Sequence, residues 1–295
     1  MSETMRAVVL ERPGEPMAVE TIARPSPLDG EVLVQVHGCG VCHSDLHVMK
    51  GELAFPTPCV LGHEVAGIVV ERGPGVVNCA VGDRVVSSFI MPCGTCRQCV
   101  RGRDELCETF FAVNRGRGTL YDGTTRLHRA DGTPLAMYSM AGLAEYAVVP
   151  DTDIFAVPEE LELASAAVLG CAVFTAYGAA GAGVDVAFEA LGRPQTVQQA
   201  FKMARDGGTV VAVGIGAGAA AAEIEITHMV RREIRLLGSF GARTRADMPR
   251  VIALAAAGAI DLERLISARV GLEQAEETYR ALERGAVSGR ALVVP

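Results

Sequence analysis

Cysteine is the most informative residue type in this sequence. Nine are present, and four fall in one short segment, CGTCRQCVRGRDELC, at Cys93, Cys96, Cys99 and Cys107, with two, two and seven residues between successive thiols. Four thiolates fill the coordination shell of a tetrahedral zinc ion and leave no position open, so the chemistry offered there is structural. The N-terminal MSETMRAVVL has no charged segment leading into an apolar run, so no secretory leader is read. Clustered thiols in that setting point to metal rather than to disulfides, and to a cytoplasmic protein.

A second set of candidate ligands is dispersed. GCGVCHSDLH supplies Cys42, Ser44, Asp45 and His47; LGHEVAG supplies His63 and Glu64; LGCAVFTAYG supplies Cys171. Cys42, His63 and Cys171 would hold a zinc ion through two thiolates and one imidazole, with the fourth position open to a substrate. Two thiolates offset the charge of the ion and leave it able to bind and deprotonate an alcohol. Taken singly, His63 reads as a turn histidine and Cys171 as a small buried apolar residue. Three motifs in sequence order favour ligands.

The GxCxxDxH, GHE, four-cysteine and GC motifs, in that order, resemble those of the zinc-dependent medium-chain alcohol dehydrogenases, and two cysteines with one histidine is the catalytic set that alcohol dehydrogenase uses. The resemblance covers residues 5 to 178 and resumes from about residue 183 to the end. It implies two zinc ions per chain, the catalytic one on Cys42, His63 and Cys171 with Glu64 as a nearby carboxylate. Asp45 would orient His63 from behind. Ser44 and His47 match a relay that carries the alcohol proton to solvent, a role suited to a hydroxyl at the substrate and an imidazole titrating near neutrality. The resemblance further implies NAD(P) as hydride acceptor and an alcohol or aldehyde as substrate. Arg290 matches a phosphate-contacting arginine, its alternative being a solvated surface residue, while His43 replaces another such arginine. Phe89 and Leu143 match positions lining an apolar substrate pocket.

The elements that must position these residues change character along the chain. MRAVVL, EVLVQV, EVAGIVVE and GDRVVSSF read as strands bounded by Gly and Pro turns, giving a compact antiparallel β domain over residues 1–158, which the resemblance implies is of GroES-like, β-rich type. The polar, Gly-rich segment 114–133 reads as a long surface loop over a site. Residues 159–267 alternate helical patterns (ELELASAAVLG, PQTVQQAFKMARDGG, ADMPRVIALAAAGAI) with apolar strands (VDVAFEA, TVVAVGIG, EIRLLGSFG), which implies a Rossmann-like parallel sheet. Residues 268–295 would return to the first domain. The fold class expected is β together with α/β.

The Rossmann-like part is too short. Only seven residues separate Tyr177 from Asp185, where the family would place a strand, a glycine loop, a helix and a ribose-binding acid. Such a half-domain takes roughly 60 residues. Two other segments imitate its glycine signature. GAGVDVA from Gly181 precedes a strand rather than a helix; GIGAGAA, with Gly214 and Gly216, does follow a strand, and by resemblance is a later loop beside the nicotinamide. NAD(P) binding is therefore expected to be weak, and VDVAFEA to present an unpaired apolar edge that favours a homo-oligomer.

Charge and hydropathy narrow the partners. A net charge of −8 argues against nucleic acid and anionic membranes. Leu163 to Val184 carries no charge over 22 positions, long enough for a membrane span, but it is mostly Ala and Gly and lacks basic anchors, so no membrane crossing is expected. His37 and Cys39 read as strand residues, Cys59 and Cys79 as packing residues, and His128 and His228 have no partner in sequence. The rival readings are a zinc-binding remnant without redox activity and a zinc enzyme of another class.

Overall fold

The computed structural model describes residues 3–175 and 185–295. They form two compact units, Met1–Val173 with Arg243–Pro295, and Phe174–Ala242.

The first unit contains two sheets. One has the order β2-β1-β4-β8-β7, built from β1 (Thr4–Leu10), β2 (Ala18–Ala23), β4 (Cys59–Val60), β7 (Leu127–His128) and β8 (Pro134–Met137). The other has the order β10-β6-β5-β3-β15-β14, with β9 also on β3. Its strands are β3 (Glu31–Gly40), β5 (Val65–Arg72), β6 (Arg84–Ser87), β9 (Tyr146–Pro150), β10 (Phe155–Ala156), β14 (Ile266–Val270) and β15 (Arg290–Val293). Most pairings are antiparallel, as expected; β4 with β8 and β14 with β15 are parallel.

Strand β3 is central, with β5 along one edge and β9 followed by β15 along the other, which explains its nearly continuous burial. Register assembles the site. Cys39 at the end of β3 lies opposite Val65 at the start of β5, and Val65 lies opposite Ser87 at the end of β6. The segments that leave β3, enter β5 and leave β6 therefore meet at one end of the sheet, and these carry Cys42, His63 with Glu64, and Phe89. Cys171 joins them because the Phe89 N–H donates to the Gly170 carbonyl at 2.9 Å. Gly170 is required there, since a Cβ on it would stand 2.3 Å from the Ser87 carbonyl oxygen.

The second unit has a three-stranded sheet, β11 (Val186–Glu189), β12 (Thr209–Ala212) and β13 (Arg235–Gly238), parallel throughout and in the order β11-β12-β13. The helix Pro194–Met203 crosses from β11 to β12 and buries Ala200 and Phe201, with Ala204 just past its end, around Val210 and Ile234. Among the described residues β11 is an edge strand, and Phe188 is 49% exposed, in line with the unpaired edge read from sequence.

The structure adds detail to three sequence expectations. Segment 114–133 is anchored at several points: Asn114, Leu120 and Leu127 are buried, the Asn114 amide donates to the carbonyls of Thr119, Met137 and Ser139, and buried Arg126 forms a two-point ion pair with Glu31 at 2.6 and 2.8 Å. ELELASAAVLG forms the 3-10 helix Ser165–Gly170 rather than an α-helix. The compact units divide at 173 and 243, and helix Thr244–Ala256 is anchored in the first of them, where Arg245 grips the Asp104 carboxylate with two nitrogens at 3.0 Å. No helix among the described residues is long and apolar enough to cross a membrane. The Gly181 segment lies outside the described residues.

Candidate active site

Two clusters of ligand atoms stand out, each with all its donor atoms within 4.8 Å of one another: Cys42, His63, Glu64 and Cys171, and Cys93, Cys96, Cys99 and Cys107. All nine cysteines are free thiols.

In the first cluster His63 and Glu64 are fully buried. The His63 Nδ1–H donates to Asp45 Oδ1 at 3.0 Å, and the same oxygen accepts from the Gly62 N–H at 3.1 Å. Nδ1 is thereby committed, and Nε2 is buried without any partner. A buried ring nitrogen facing two sulfurs and a carboxylate fits a metal ligand. Contact with Cys171 holds Cys42 well below the usual thiol range, while contact with Cys42 and then burial hold Cys171 well above it. Burial alone would depress the His63 pKa, but Asp45 and Cys42 outweigh it and bring it to about 9. Without a metal, the pocket thus gathers protons on groups that a cation would replace.

Glu64 approaches through a glycine. A Cβ on Gly40 would stand 2.0 Å from Glu64 Oε2, so the GCG of β3 leaves the room that the carboxylate occupies. Its Oε1 accepts from the Arg290 guanidinium. Arg290 is thus not a solvated surface residue, the alternative weighed from sequence, but the counterion of a buried carboxylate. Ser44 lies 3.7 Å from the Cys42 sulfur in the first turn of helix His43–Met49, and His47, one turn on, is half-buried with Nδ1 on Glu52. His43 is exposed. Phe89 meets the His63 ring edge-on at 6.3 Å, and Leu143 is wholly buried, its N–H on the Leu61 carbonyl beside the loop that carries His63. Tyr138, not singled out in the sequence, packs edge-on to His63 at 5.6 Å beneath the Arg115 guanidinium. A lone aromatic between a strand and a turn carries no motif that would have marked it.

The second cluster has the marks of a thiolate site. Backbone N–H groups of Cys96 and Phe110 donate to Cys93 and Cys107 sulfurs at 3.3 and 3.4 Å, and the Cys93 N–H donates to Cys107 at 3.3 Å. The Cys96 and Cys107 sulfurs lie 4.0 Å apart, close to the ~3.8 Å that a tetrahedral zinc with ~2.3 Å bonds requires. Burial pushes Cys107 up to about 11, whereas at Cys93 the donors from Thr109, Thr95 and Cys96 outweigh burial and lower the thiol to about 6.

Gly214 and Gly216 follow β12 in the second unit. The Gly214 N–H donates to the Glu189 carbonyl at 3.1 Å, and a Cβ on Gly214 would meet the Gly192 nitrogen at 2.0 Å, so this glycine is needed for contact between two loops. The next helix begins only at Ile226. The strand, tight turn and helix that cradle a pyrophosphate are therefore not formed here. Glu189 is buried, and its carboxylate accepts from the N–H groups of Leu191 and Gly192 at 2.7 and 2.9 Å. His37 and Cys39 remain β3 residues, Cys59 is buried, and His228 faces Phe201 in the second unit.

Residues 28–159 match the family model of the alcohol dehydrogenase GroES-like domain, and residues 145–257 match that of the zinc-binding dehydrogenases. The chain belongs to the zinc-dependent medium-chain alcohol dehydrogenase family. An NDMA-dependent alcohol dehydrogenase of Amycolatopsis methanolica is 38% identical over 175 residues, which is 59% of this chain and 47% of that protein. The chain spans about half the length of the curated relatives it matches, 47% and 43% in the first two. Among solved structures, an alcohol dehydrogenase zinc-binding domain protein from Burkholderia ambifaria aligns with a TM-score of 0.91 at 25% identity over 99% of each chain. A zinc-binding dehydrogenase from Sinorhizobium meliloti 1021, solved bound to NADP, aligns with a TM-score of 0.78 at 26% identity over 100% of each chain.

Proposed function

We propose that this chain carries the substrate-activating half of a zinc-dependent alcohol dehydrogenase, acting on an alcohol or aldehyde with NAD(P) as hydride partner. The observation that carries the reading is the orphaned Nε2 of buried His63, held within 4.8 Å of the Cys42, Cys171 and Glu64 ligand atoms. Zinc held by Cys42, His63 and Cys171 would supply a Lewis acid for the alcohol or carbonyl oxygen. Asp45 fixes the tautomer and direction of His63. The Ser44 hydroxyl, 3.7 Å from the Cys42 sulfur, takes the substrate proton, and His47 on the next turn of the same helix passes it to solvent. Arg290 pairs with the Glu64 carboxylate beside the ligands. Cys93, Cys96, Cys99 and Cys107 hold a second, structural zinc. Nine free thiols suit a reducing compartment, and we place the protein in the cytoplasm on that ground.

A second reading, a zinc-binding relative without redox turnover, is favoured by one observation: among the described residues the nucleotide unit has three parallel strands, and its loop with Gly214 and Gly216 leads into no helix before Ile226. Loss of that cradle removes several charge-assisted hydrogen bonds, each contributing about 1.5 to 3 kcal/mol, which places NADH binding in the millimolar range. Titration of the purified protein with NADH, followed by fluorescence, separates the two. Measurable alcohol oxidation at millimolar NAD(P) supports the dehydrogenase; no turnover at any cofactor level, with both metals in place, leaves the non-redox reading.

A further inference from the structure

We propose that Tyr279 is a positioning residue for His63: its phenol donates to the oxygen of Asp45 that His63 leaves unused, completing a chain Tyr279–Asp45–His63. The inference rests on the zinc site proposed above.

Asp45 is wholly buried, and its two oxygens are treated differently. Oδ1 accepts from both His63 Nδ1–H and the Gly62 N–H, while Oδ2 has no partner. A buried carboxylate oxygen without a donor is costly, and buried polar atoms nearly always find one. Tyr279 is also wholly buried, and its hydroxyl has no partner either. The two residues sit on helices that are in contact, and the charge of Asp45 reaches the Tyr279 phenol. Helix His43–Met49 packs on helix Ala275–Glu283, and a Lys50–Glu283 ion pair at 2.5 Å ties their ends together. Tyr279 lies one turn before Glu283, and Asp45 slightly more than one turn before Lys50. Burial first, then the charge of Asp45, raises the phenol pKa well above its usual value, so the group remains a donor.

A donor on Oδ2 fixes the plane of the carboxylate. That plane sets the direction of the Nδ1–H bond, and the bond sets where the His63 Nε2 lone pair points. Partners behind a histidine ligand typically govern metal affinity about 10- to 100-fold. Tyr279, one link further back, should act at the lower end of that range.

The test uses the metal-loaded wild-type chain and Tyr279→Phe, which removes only the hydroxyl. Zinc is withdrawn by a competing chelator, with the four-cysteine site of the same molecule as internal reference. The expected result is a roughly tenfold weaker hold at the Cys42, His63 and Cys171 site and an unchanged hold at the four-cysteine site. Cobalt substituted at the former should show a shifted visible absorption band in the variant. Equal loosening of both metals would mark a general loss of stability and overturn the proposal, as would unchanged affinity with an unchanged cobalt spectrum. A wild-type chain that holds only the four-cysteine metal would instead overturn the site reading beneath it, and this is seen before the variant is made.

Discussion

Replacing Arg290 with alanine removes the cation that balances Glu64. The carboxylate side chain is fully buried and the guanidinium only 17% exposed, so little water is available to take the place of the lost charge. Breaking a buried pair by removing one partner costs about 3–5 kcal/mol. The partial exposure of Arg290 puts the expected loss near the lower figure, about 3 kcal/mol in metal-free protein. With zinc present the loss should shrink, because the ion lies beside the same carboxylate. Urea unfolding followed by far-UV circular dichroism, in chelator and again with zinc, measures both. Glu64→Gln in the Arg290→Ala background should recover at least half of the loss, since it removes the unpaired charge. An arginine that served only to hold a cofactor phosphate would leave stability unchanged when removed. A loss below about 1 kcal/mol, or no recovery in the double variant, would refute the argument.

Two further outcomes are expected. The Cys93 pKa of about 6 lies below the usual thiol value of 9.0, so its ionisation favours the metal-free fold fully above pH 9 and ceases to do so below about 6. The stability gap between wild type and Cys93→Ser, measured by thermal melts in chelator, should therefore widen as pH rises from 6 to 9; a gap independent of pH contradicts the assignment of the lowered thiol. The second unit exposes Phe188, Leu191, Ile215, Leu236 and Leu237, and all four residues of β13 are exposed. Self-association is expected at micromolar concentration, and a stable monodisperse monomer in light scattering would count against it.

What could be read from the sequence follows from how local each feature is. The four-cysteine site lies within one short segment, and its spacing alone carries the chemistry. Cys42, His63 and Cys171 are far apart, but each sits in a short motif because the strand ends that deliver them need glycines beside them: Gly40 admits Glu64, and Gly170 fits against Ser87. The pairing of Arg290 with Glu64 spans 226 positions and leaves no local trace. The same holds for Arg126 and Glu31, 95 positions apart, whose bond turns an apparently free polar segment into an anchored one. Ser165–Gly170 was misleading for a different reason. Every residue in it is buried, so no polar face discloses its period, and its Ala167 N–H bonds three residues back at 3.2 Å.

The central claim is that both ligand clusters hold metal, one of them at a site fit for alcohol chemistry. Elemental analysis of gently purified wild type and of Cys42→Ser tests it directly. Two zinc ions per chain are expected in the wild type, one for each cluster, and one in the variant. A wild type with one zinc or none, or a variant that keeps both, would contradict the account.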